Sequence, residues 1–258
     1  MEYDYIRQGD SALLMADLPD ESIDLTVTSP PYDNLRNYNG YTFDFEKIAK
    51  QLFRVTKEGG AVVWIVNDAT VNGSETGTSF RQALCFMDTG FKLLDTMIWV
   101  KTGGGSCGSN YCYTQNTEYM FVFTKGRPNH VNLLRDRKNI SEGQTRSGHG
   151  RRLPNGEINN EGGRTRSVPA FGKRYNYWYY PRMRGYGDHP AAFPEQLAND
   201  HILSWSNEGD VILDPFVGSG TTAKMALLNN RHYIGFDISQ EYVDIANQRI
   251  YETIQDMN

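Results

Sequence analysis

The sequence predicts an α/β protein with a doubly wound, mostly parallel sheet and a basic insert. Short apolar runs typical of buried strands alternate with stretches of helical periodicity through residues 1–125. The same alternation returns in residues 188–258. Between them, residues 126–187 are rich in Arg, Asn and Gly and poor in aliphatic side chains, so this segment can bury little apolar surface of its own.

Length and charge fit one core with an insert. The chain has 258 residues, of which 39% are hydrophobic and 22% are charged. Residues 126–187 contain thirteen Lys or Arg and four Asp or Glu, a balance of +9, so the remainder carries −14 of the net charge of −5. A basic segment in an acidic body indicates that one part of the protein binds a polyanion.

The cysteines and the N-terminus indicate the compartment. Cys85, Cys107 and Cys112 are an odd set without CxxC spacing, which argues against a disulfide framework and against a zinc site. The N-terminus has no signal-peptide pattern, and no apolar run reaches the length of a membrane span. We therefore expect a cytoplasmic protein.

The elements of the first half follow from apolar spacing. A strand, a short helix and a buried strand are predicted up to Thr28, and Asp33–Asp44 is a polar loop. The further elements of this half are a helix over 45–55, a strand over 61–66, a helix over 80–87, and strands over 91–100 and 119–124.

The second half repeats the pattern after the insert. We expect a helix over 194–206, a strand over 211–213, a helix over 221–229, a strand over 233–236 and a helix over 240–255. The cluster of aromatic and basic residues over 173–182 is interpreted as part of the insert, where Arg and Lys would neutralise phosphates and aromatic rings would stack on bases.

The first candidate site is Thr28-Ser29-Pro30-Pro31-Tyr32, directly after a buried strand. Two consecutive prolines end strand pairing, because neither donates a backbone N–H and each fixes φ near −65°. The stretch therefore presents a hydroxyl, carbonyl groups and an aromatic ring from a stiff segment. Open α/β sheets place their ligands at this carboxyl end of the strands.

The second candidate site is the run Asp214–Thr222, which reads as a strand end, a glycine-rich turn and a helix start. Gly218 and Gly220 allow a ligand to approach the backbone closely, and Thr221 or Thr222 can cap the helix. Asp237 ends the next strand and is placed to accept the hydroxyl groups of a ribose. The run predicts a nucleoside pocket.

The nucleoside ligand is either a dinucleotide or a cationic molecule. Gly218–Ala223 approaches the GxGxxG pattern of dinucleotide sites, with Ala at the third position. However, the Asp214 carboxylate would repel a pyrophosphate, whereas it suits a sulfonium or an ammonium. This favours S-adenosylmethionine as the ligand.

Together, TSPPY at 28–32 and DPFVGSGTT at 214–222 resemble the DNA amino-methyltransferases, which modify the exocyclic nitrogen of cytosine or adenine. The order of catalytic motif, basic insert and cofactor motif is similar to the circularly permuted β group of that family. Gly9-Asp10, His189-Pro190-Ala191, Phe193-Pro194 and Phe236–Ser239 add to the resemblance.

The resemblance implies a Rossmann-like, circularly permuted methyltransferase fold. Residues 1–125 would be the catalytic half of the core, 126–187 the target-recognition insert and 188–258 the cofactor-binding half. It also implies S-adenosylmethionine as cofactor, S-adenosylhomocysteine as product, no metal, and double-stranded DNA as substrate, with the target base flipped out of the helix. A restriction endonuclease encoded nearby, a homodimer and a prokaryotic or phage-infected cell are compatible with it.

The resemblance assigns the catalytic and cofactor-binding residues, and the basic and aromatic composition of the insert indicates the DNA-binding residues. The catalytic residues are Ser29, Pro30, Pro31 and Tyr32. The cofactor-binding residues are Gly9, Asp10, Thr28, Phe193, Pro194, Glu195, Asp214, Phe216, Gly218, Ser219, Gly220, Thr221, Thr222, Asp237 and Ile238. The DNA-binding residues are Arg151, Arg152, Arg164, Arg166, Lys173, Arg174, Tyr177, Trp178, Arg182 and Arg184.

Ser29 carries the choice of base, because Ser before Pro-Pro-Tyr resembles the enzymes that methylate cytosine N4. Asp or Asn at that place is commoner in adenine-N6 enzymes, and adenine N6 is the second candidate target. A cysteine nucleophile is not expected, and Cys107 in the glycine-rich loop is the one thiol to check. The sequence also leaves open an RNA or small-molecule methyltransferase, a DNA-binding protein without activity, and a dehydrogenase.

Overall fold

In the computed structural model of the chain, the described residues are 1–31, 44–103, 111–146, 151–153, 155–159, 166–182 and 193–257. They form two units, one from Met1–Asn132 with Asn176–Asn258 and the other from Leu133–Tyr175. The insert expected over 126–187 is therefore wider than the second unit at both ends. No described helix combines the length and the apolar character needed to cross a membrane.

The helices of the first unit agree with the sequence-based boundaries to within a few residues. They are α1 (Ser11–Ala16), α2 (Phe45–Val55), α3 (Thr78–Thr89), α4 (Glu195–Trp205), α5 (Thr221–Leu228) and α6 (Gln240–Met257). In α2, the Asp44 carboxylate caps the helix by accepting from the Lys47 backbone N–H at 3.1 Å. Its buried positions recur at helical spacing, as the sequence predicts.

The strands fall into the two units. Those of the first are β1 (Tyr5–Gln8), β2 (Ile23–Thr28), β3 (Thr56–Val66), β4 (Thr70–Val71), β5 (Ser74–Glu75), β6 (Lys92–Thr102), β7 (Thr117–Thr124), β14 (Tyr177–Pro181), β15 (Val211–Asp214) and β16 (His232–Asp237). Those of the second are β8 (Arg137–Lys138), β9 (Thr145–Arg146), β10 (Arg151–Arg152), β11 (Ile158–Asn159), β12 (Arg166–Ser167) and β13 (Phe171–Gly172).

The first unit contains an eight-stranded sheet with the order β1-β16-β15-β2-β3-β7-β6-β14. The central strands β16, β15, β2 and β3 are parallel, which confirms the predicted mostly parallel α/β sheet. β2 and β15 are neighbours although they come from opposite halves of the chain. The carboxyl ends of these strands therefore lie at one edge.

One strand departs from the predicted repetition of β-α-β units. β7 runs antiparallel to both of its neighbours, β3 and β6. It follows β6 without a helix in the described residues, and an antiparallel neighbour needs no helical crossover.

The aromatic stretch 177–181 is not part of an insert, which corrects the sequence interpretation. It forms β14, the edge strand parallel to β6, with Trp178 opposite Trp99. Its burial alternates, so that Trp178 and Tyr180 point inward and Tyr177 and Tyr179 point outward. Aromatic residues favour strands because their rings pack well on a half-buried pleated surface.

The core lies between the sheet and helices α2 and α3. Trp64, Phe86 and Phe123 are fully buried. The rings of Phe86 and Phe123 stack with centroids 4.5 Å apart, and Trp64 meets Phe86 edge-on at 5.1 Å. Such aromatic pairs add to the stabilisation from burial and hold the sheet rigidly behind the strand ends.

A buried carboxylate joins three strands at the amino edge of the sheet. Asp24 of β2 accepts from Lys57 Nζ of β3 at 2.7 and 2.8 Å and from the Val211 N–H of β15 at 2.9 Å. Asp24, His130 and Asp210 also form the described cluster of side chains that could ligate a metal. The Lys57 ammonium already balances the charge of Asp24 there.

We expect Asp24→Ala to lower the free energy of unfolding by about 2 kcal/mol, because the buried Val211 N–H loses its acceptor. Asp24→Asn, which keeps an acceptor, should cost less. Urea denaturation measures both. The control is Asp88→Ala on the exposed face of α3, and a loss as large in this control as in Asp24→Ala would contradict the role of Asp24.

Candidate active site

The two sequence motifs meet at the carboxyl edge of the sheet. Thr28, the last residue of β2, is fully buried. Its Oγ1 donates a hydrogen bond of 2.6 Å to Oδ1 of Asp214, the last residue of β15. The structure thus brings together two residues that are 186 positions apart in the chain.

Asp214 is a buried carboxylate with a strongly raised pKa. It is 2% exposed, and this burial raises the pKa to about 6. The hydroxyl group of Thr28 and the Phe216 N–H, at 3.1 Å, partly oppose that shift, whereas the nearby Asp237 adds to it. Near neutral pH, Asp214 is a negative charge held at a desolvation cost.

The glycine-rich turn packs too closely for side chains. Gly218 and Gly220 have φ of +49° and +81°, in the region that favours glycine. A Cβ on Gly220 would lie 3.0 Å from the Ala246 Cβ of α6. The turn therefore fixes where α5 begins and packs its backbone directly against α6.

The sequence prediction that a threonine caps α5 is wrong. The capping position is Gly220, and no side chain bonds there. Thr222 Oγ1 instead donates to the Val27 carbonyl of β2 at 3.0 Å, and Thr221 Oγ1 accepts from Arg249 at 3.2 Å. These hydrogen bonds hold the start of α5 against β2 and α6.

Asp237 lies beside this turn at the end of β16. Its Oδ2 accepts from the Gly218 N–H at 3.0 Å and its Oδ1 from the Ser239 N–H at 2.9 Å. Burial raises its pKa despite these bonds. Each carboxylate oxygen has a second lone pair, so Asp237 can still accept from hydroxyl groups of a ligand.

The N-terminal residues form one wall of this edge. The Gly9 N–H donates to the Asp237 carbonyl at 2.8 Å. Asp10 caps α1 by accepting from the N–H groups of Ala12 and Leu13 at 2.8 and 3.2 Å. Ile238 uses its carbonyl to accept from Gln8 Nε2 at 2.9 Å. The described hydrogen bonds of Asp10 and Ile238 thus hold the ends of α1 and β16 in place.

Glu195 is engaged in an ion-pair network. Phe193 and Pro194 are buried just before α4, whereas Glu195 Oε1 accepts from Lys224 Nζ at 2.7 Å and from Arg249 Nη2 at 2.5 Å. Burial opposes ionisation, but the bonds from both cations outweigh it and lower the pKa of Glu195. The described contacts of this carboxylate are with α5 and α6, and its expected contact with a cofactor stays a prediction.

Arg249 supports the candidate site, and the sequence analysis did not single it out. Its side chain on α6 is 6% exposed, and Nη1 donates to the Ser219 carbonyl at 2.9 Å and approaches Ser219 Oγ at 3.3 Å. Arg249 thereby holds the glycine-rich turn against α6. The available signal was its position on the apolar face of a helix, between Ala246 and Ile250, because a buried arginine needs partners.

The catalytic motif is described up to Pro31. Pro30 is buried, while Ser29 and Pro31 are partly exposed at the end of β2. Tyr32, Cys107, Arg164 and Arg184 lie outside the described residues.

The described members of the predicted DNA-binding set differ in burial and in partners. Trp178 is 5% exposed and packs on the His201 ring at 4.5 Å, which contradicts its assignment as a DNA contact. Arg174 pairs with Asp136. Lys173, Tyr177 and Arg182 are exposed, as is Arg166, and for Arg151 and Arg152 the backbone alone is described.

Asp214→Asn should stabilise the protein more at pH 7.5 than at pH 5. The pKa of Asp214 is about 6 in the folded chain and lower in the unfolded chain. Burial therefore costs no stability at a pH below the pKa of the unfolded chain, and the folded protein loses stability as the pH rises to about 6. Asn avoids this loss, so its advantage in unfolding free energy should grow by about 1 kcal/mol between the two pH values.

Denaturation of both proteins at the two pH values measures this difference. Asp88→Asn, at an exposed position of α3, serves as the control and should show no such growth. An advantage of Asp214→Asn that does not depend on pH would contradict the effect of burial.

Arg249→Met should lower the free energy of unfolding by about 3 kcal/mol, because it leaves the Ser219 carbonyl and Glu195 without their buried partner. Lys224→Met is the matched variant, since Lys224 pairs with the same oxygen but is 24% exposed. It should cost about 1 kcal/mol or less. Thermal and urea denaturation compare the two, and the reverse order would refute the supporting role of Arg249.

Comparisons with known proteins agree with this arrangement. A model of the DNA methylase family matches residues 23–248. The orphan methyltransferase M.BamHII of Bacillus amyloliquefaciens is 55% identical over 240 residues, which cover 90% of this chain and 89% of that protein. The type II methyltransferase M.BglII of Bacillus subtilis is 30% identical, covering 94% of this chain and 68% of that protein.

A solved structure shows the same fold. The PvuII DNA methyltransferase, described as cytosine-N4-specific, superimposes with a TM-score of 0.68 and 19% identity, covering 98% of this chain and 95% of that one. The match of the family model, the two relatives and the convergence of both motifs at one sheet edge lead to one conclusion. The chain belongs to the DNA methylase family, the amino-methyltransferases that the sequence motifs resemble.

Proposed function

We propose that this DNA methyltransferase transfers a methyl group from S-adenosylmethionine to the exocyclic N4 of a cytosine flipped out of duplex DNA. The observation that carries the proposal is the hydrogen bond from Thr28 to Asp214, at 2.6 Å. It joins the segment that would hold the amine to the segment that would hold the methyl donor.

The residues at the sheet edge fit the cofactor. Burial raises the pKa of the Asp214 carboxylate, and a cationic group placed beside it would favour its charged form. Gly218 and Gly220 have positive φ and no side chain that would come between the turn and a ligand. Asp237 keeps lone pairs for the hydroxyl groups of a ribose. When bound, S-adenosylmethionine supplies a methyl group on a positively charged sulfur.

Ser29 and Pro30 would activate the amine. An exocyclic amine is a poor nucleophile because its lone pair is delocalised into the ring. If Ser29 Oγ and the Pro30 carbonyl accept its two protons, the lone pair is localised on the nitrogen and can be directed at the methyl group. Pro30 is buried at the end of β2, so its carbonyl is held by a rigid segment, which lowers the cost of orienting the substrate.

The identity of residue 29 supports cytosine N4 as the target. A serine precedes Pro30-Pro31 here, as in the N4-cytosine enzymes that the motif resembles. Tyr32 is predicted to stack on the flipped base. Flipping is necessary because the amine cannot be reached within the base stack.

Ser29→Ala should reduce kcat about 10- to 100-fold and leave the affinity for S-adenosylmethionine unchanged, because the lost acceptor is assigned to the amine of the base and not to the cofactor. Single-turnover kinetics and cofactor titration measure the two quantities. Ser22→Ala is the matched control, since Ser22 lies at the amino end of the same strand and donates to the Pro19 carbonyl. Full turnover of Ser29→Ala would remove Ser29 from the mechanism.

Mass spectrometry of nucleosides from treated DNA tests the target base. We expect N4-methylcytosine in duplex DNA incubated with the protein and S-adenosylmethionine. N6-methyladenine would overturn the choice of base but keep the class of reaction. A methyl group found on RNA and not on DNA would overturn the substrate.

A further inference from the structure

The described residues of the second unit, Leu133–Tyr175, contain three antiparallel strand pairs, and we call this unit the arm. Its three paired segments are nested: β8 pairs with β13, β9 with β12 and β10 with β11. At the tip, the Gly156 N–H donates to the Leu153 carbonyl at 2.9 Å, and the Leu153 N–H donates to the Glu157 carbonyl at 2.8 Å. In each of these pairs the two described strands run in opposite directions.

The arm carries most of the excess positive charge of residues 126–187. Between Leu133 and Tyr175 the sequence has ten Lys or Arg and four Asp or Glu, a balance of +6. The rest of the chain then carries −11 of the net −5. A positive ribbon on an acidic protein is attracted to a polyanion.

Two of the arginines stabilise the base of the arm. Arg174 Nε donates to Asp136 Oδ2 at 2.9 Å, and this bond lowers the pKa of Asp136. Arg137 Nε donates to the Lys173 carbonyl at 3.0 Å, and its guanidinium lies 4.7 Å from the centre of the Tyr175 ring. These side chains are occupied within the arm.

Arg146 and Arg166 have a different environment. They are directly opposite each other in the β9–β12 pair, so both side chains project from the same face, and both are exposed. Arg146 Nη2 donates to Ser141 Oγ at 2.9 Å. Within the described part of the chain, neither guanidinium pairs with a carboxylate. Like charges directly opposite on a strand pair are destabilising, so this arrangement costs stability and is suited to a partner that offers acceptors.

The dimensions and chemistry identify the surface that such a ribbon fits. Paired strands lie about 4.8 Å apart, and the major groove of B-DNA, about 12 Å wide, admits a two-stranded ribbon with its side chains. An arginine there donates two hydrogen bonds to O6 and N7 of guanine, a pattern that no other base pair position presents.

We propose that the arm enters the major groove of the DNA substrate as a β-ribbon, with Arg146 and Arg166 as the side chains that read guanines. This inference rests on the proposed function, because it concerns the same DNA. It assigns sequence recognition to two residues, one of which, Arg146, was absent from the DNA-binding set expected from the sequence.

Selection of bound duplexes from a random DNA library, with the whole chain and without a methyl donor, tests the arm. Arg146→Ala and Arg166→Ala should each lower the preference for guanine at one position of the selected site by at least about fivefold. Arg7→Ala removes an exposed arginine of β1 and should leave the selected site unchanged.

A second pair of variants separates base contacts from phosphate contacts. Arg146→Lys and Arg166→Lys keep the positive charge but lose the planar fork of donors. We expect them to retain the salt dependence of DNA binding and to lose the preference for guanine. If the alanine variants instead weaken binding to every sequence by the same factor, these arginines contact phosphates and the inference is overturned.

The inference and the proposed function can fail separately. A wild-type chain that selects guanine-containing sites but transfers no methyl group to them supports the arm and overturns the proposed function. A wild-type chain that methylates DNA but whose alanine variants keep the full guanine preference overturns the arm. Absence of any sequence preference in the wild-type selection also overturns it.

Discussion

The structure of the site depends on the hydrogen bond between the Thr28 hydroxyl and the Asp214 carboxylate, which is fully buried. β2 and β15 are parallel neighbours, and this bond fixes their last residues relative to each other. The positions of the two segments that follow these residues depend on it. The prolines at 30 and 31 continue from Thr28, and the turn containing Gly218 and Gly220 continues from Asp214.

Several hydrogen bonds around this pair serve the same alignment. Thr222 returns to β2 through the Val27 carbonyl, and Asp237 holds the Gly218 N–H from β16. Arg249 supports the turn from α6. Three parallel strands and two helices thus define one edge, and the backbone there is positioned before any ligand arrives. Preorganisation of this kind reduces the cost of binding and of orienting the reacting groups.

Local sequence patterns were sufficient for much of the fold and for the two motifs. The helices α2 and α6 follow from apolar spacing, and the positions of Ser29 and Asp214 follow from strand ends that carry proline and glycine signals. What the sequence did not predict depends on contacts between distant segments. The antiparallel direction of β7, the pairing of β14 with β6 and the partners of Arg249 are set by the sheet as a whole.

The aromatic stretch shows why composition misled. Tyr, Trp and Arg interleaved over 173–182 suit both a nucleic-acid surface and an edge strand. Burial separates the two, since Trp178 faces the core and Tyr179 faces outward. Likewise, Thr221 and Thr222 satisfy the rule for helix caps, but each hydroxyl has a tertiary partner instead. A rule based on local sequence does not include hydrogen-bond partners that are distant in the chain.

The two ends of the arm lie one hydrogen bond apart, since the Arg174 N–H donates to the Leu134 carbonyl at 2.9 Å. A segment whose ends are adjacent can be lengthened, shortened or exchanged without moving the strands on either side, because its closure constraint is already met at the base. The arm is therefore a segment that can be exchanged as a unit. If the arm reads the DNA sequence, as we propose, a change of recognised sequence requires the exchange of this one contiguous stretch alone.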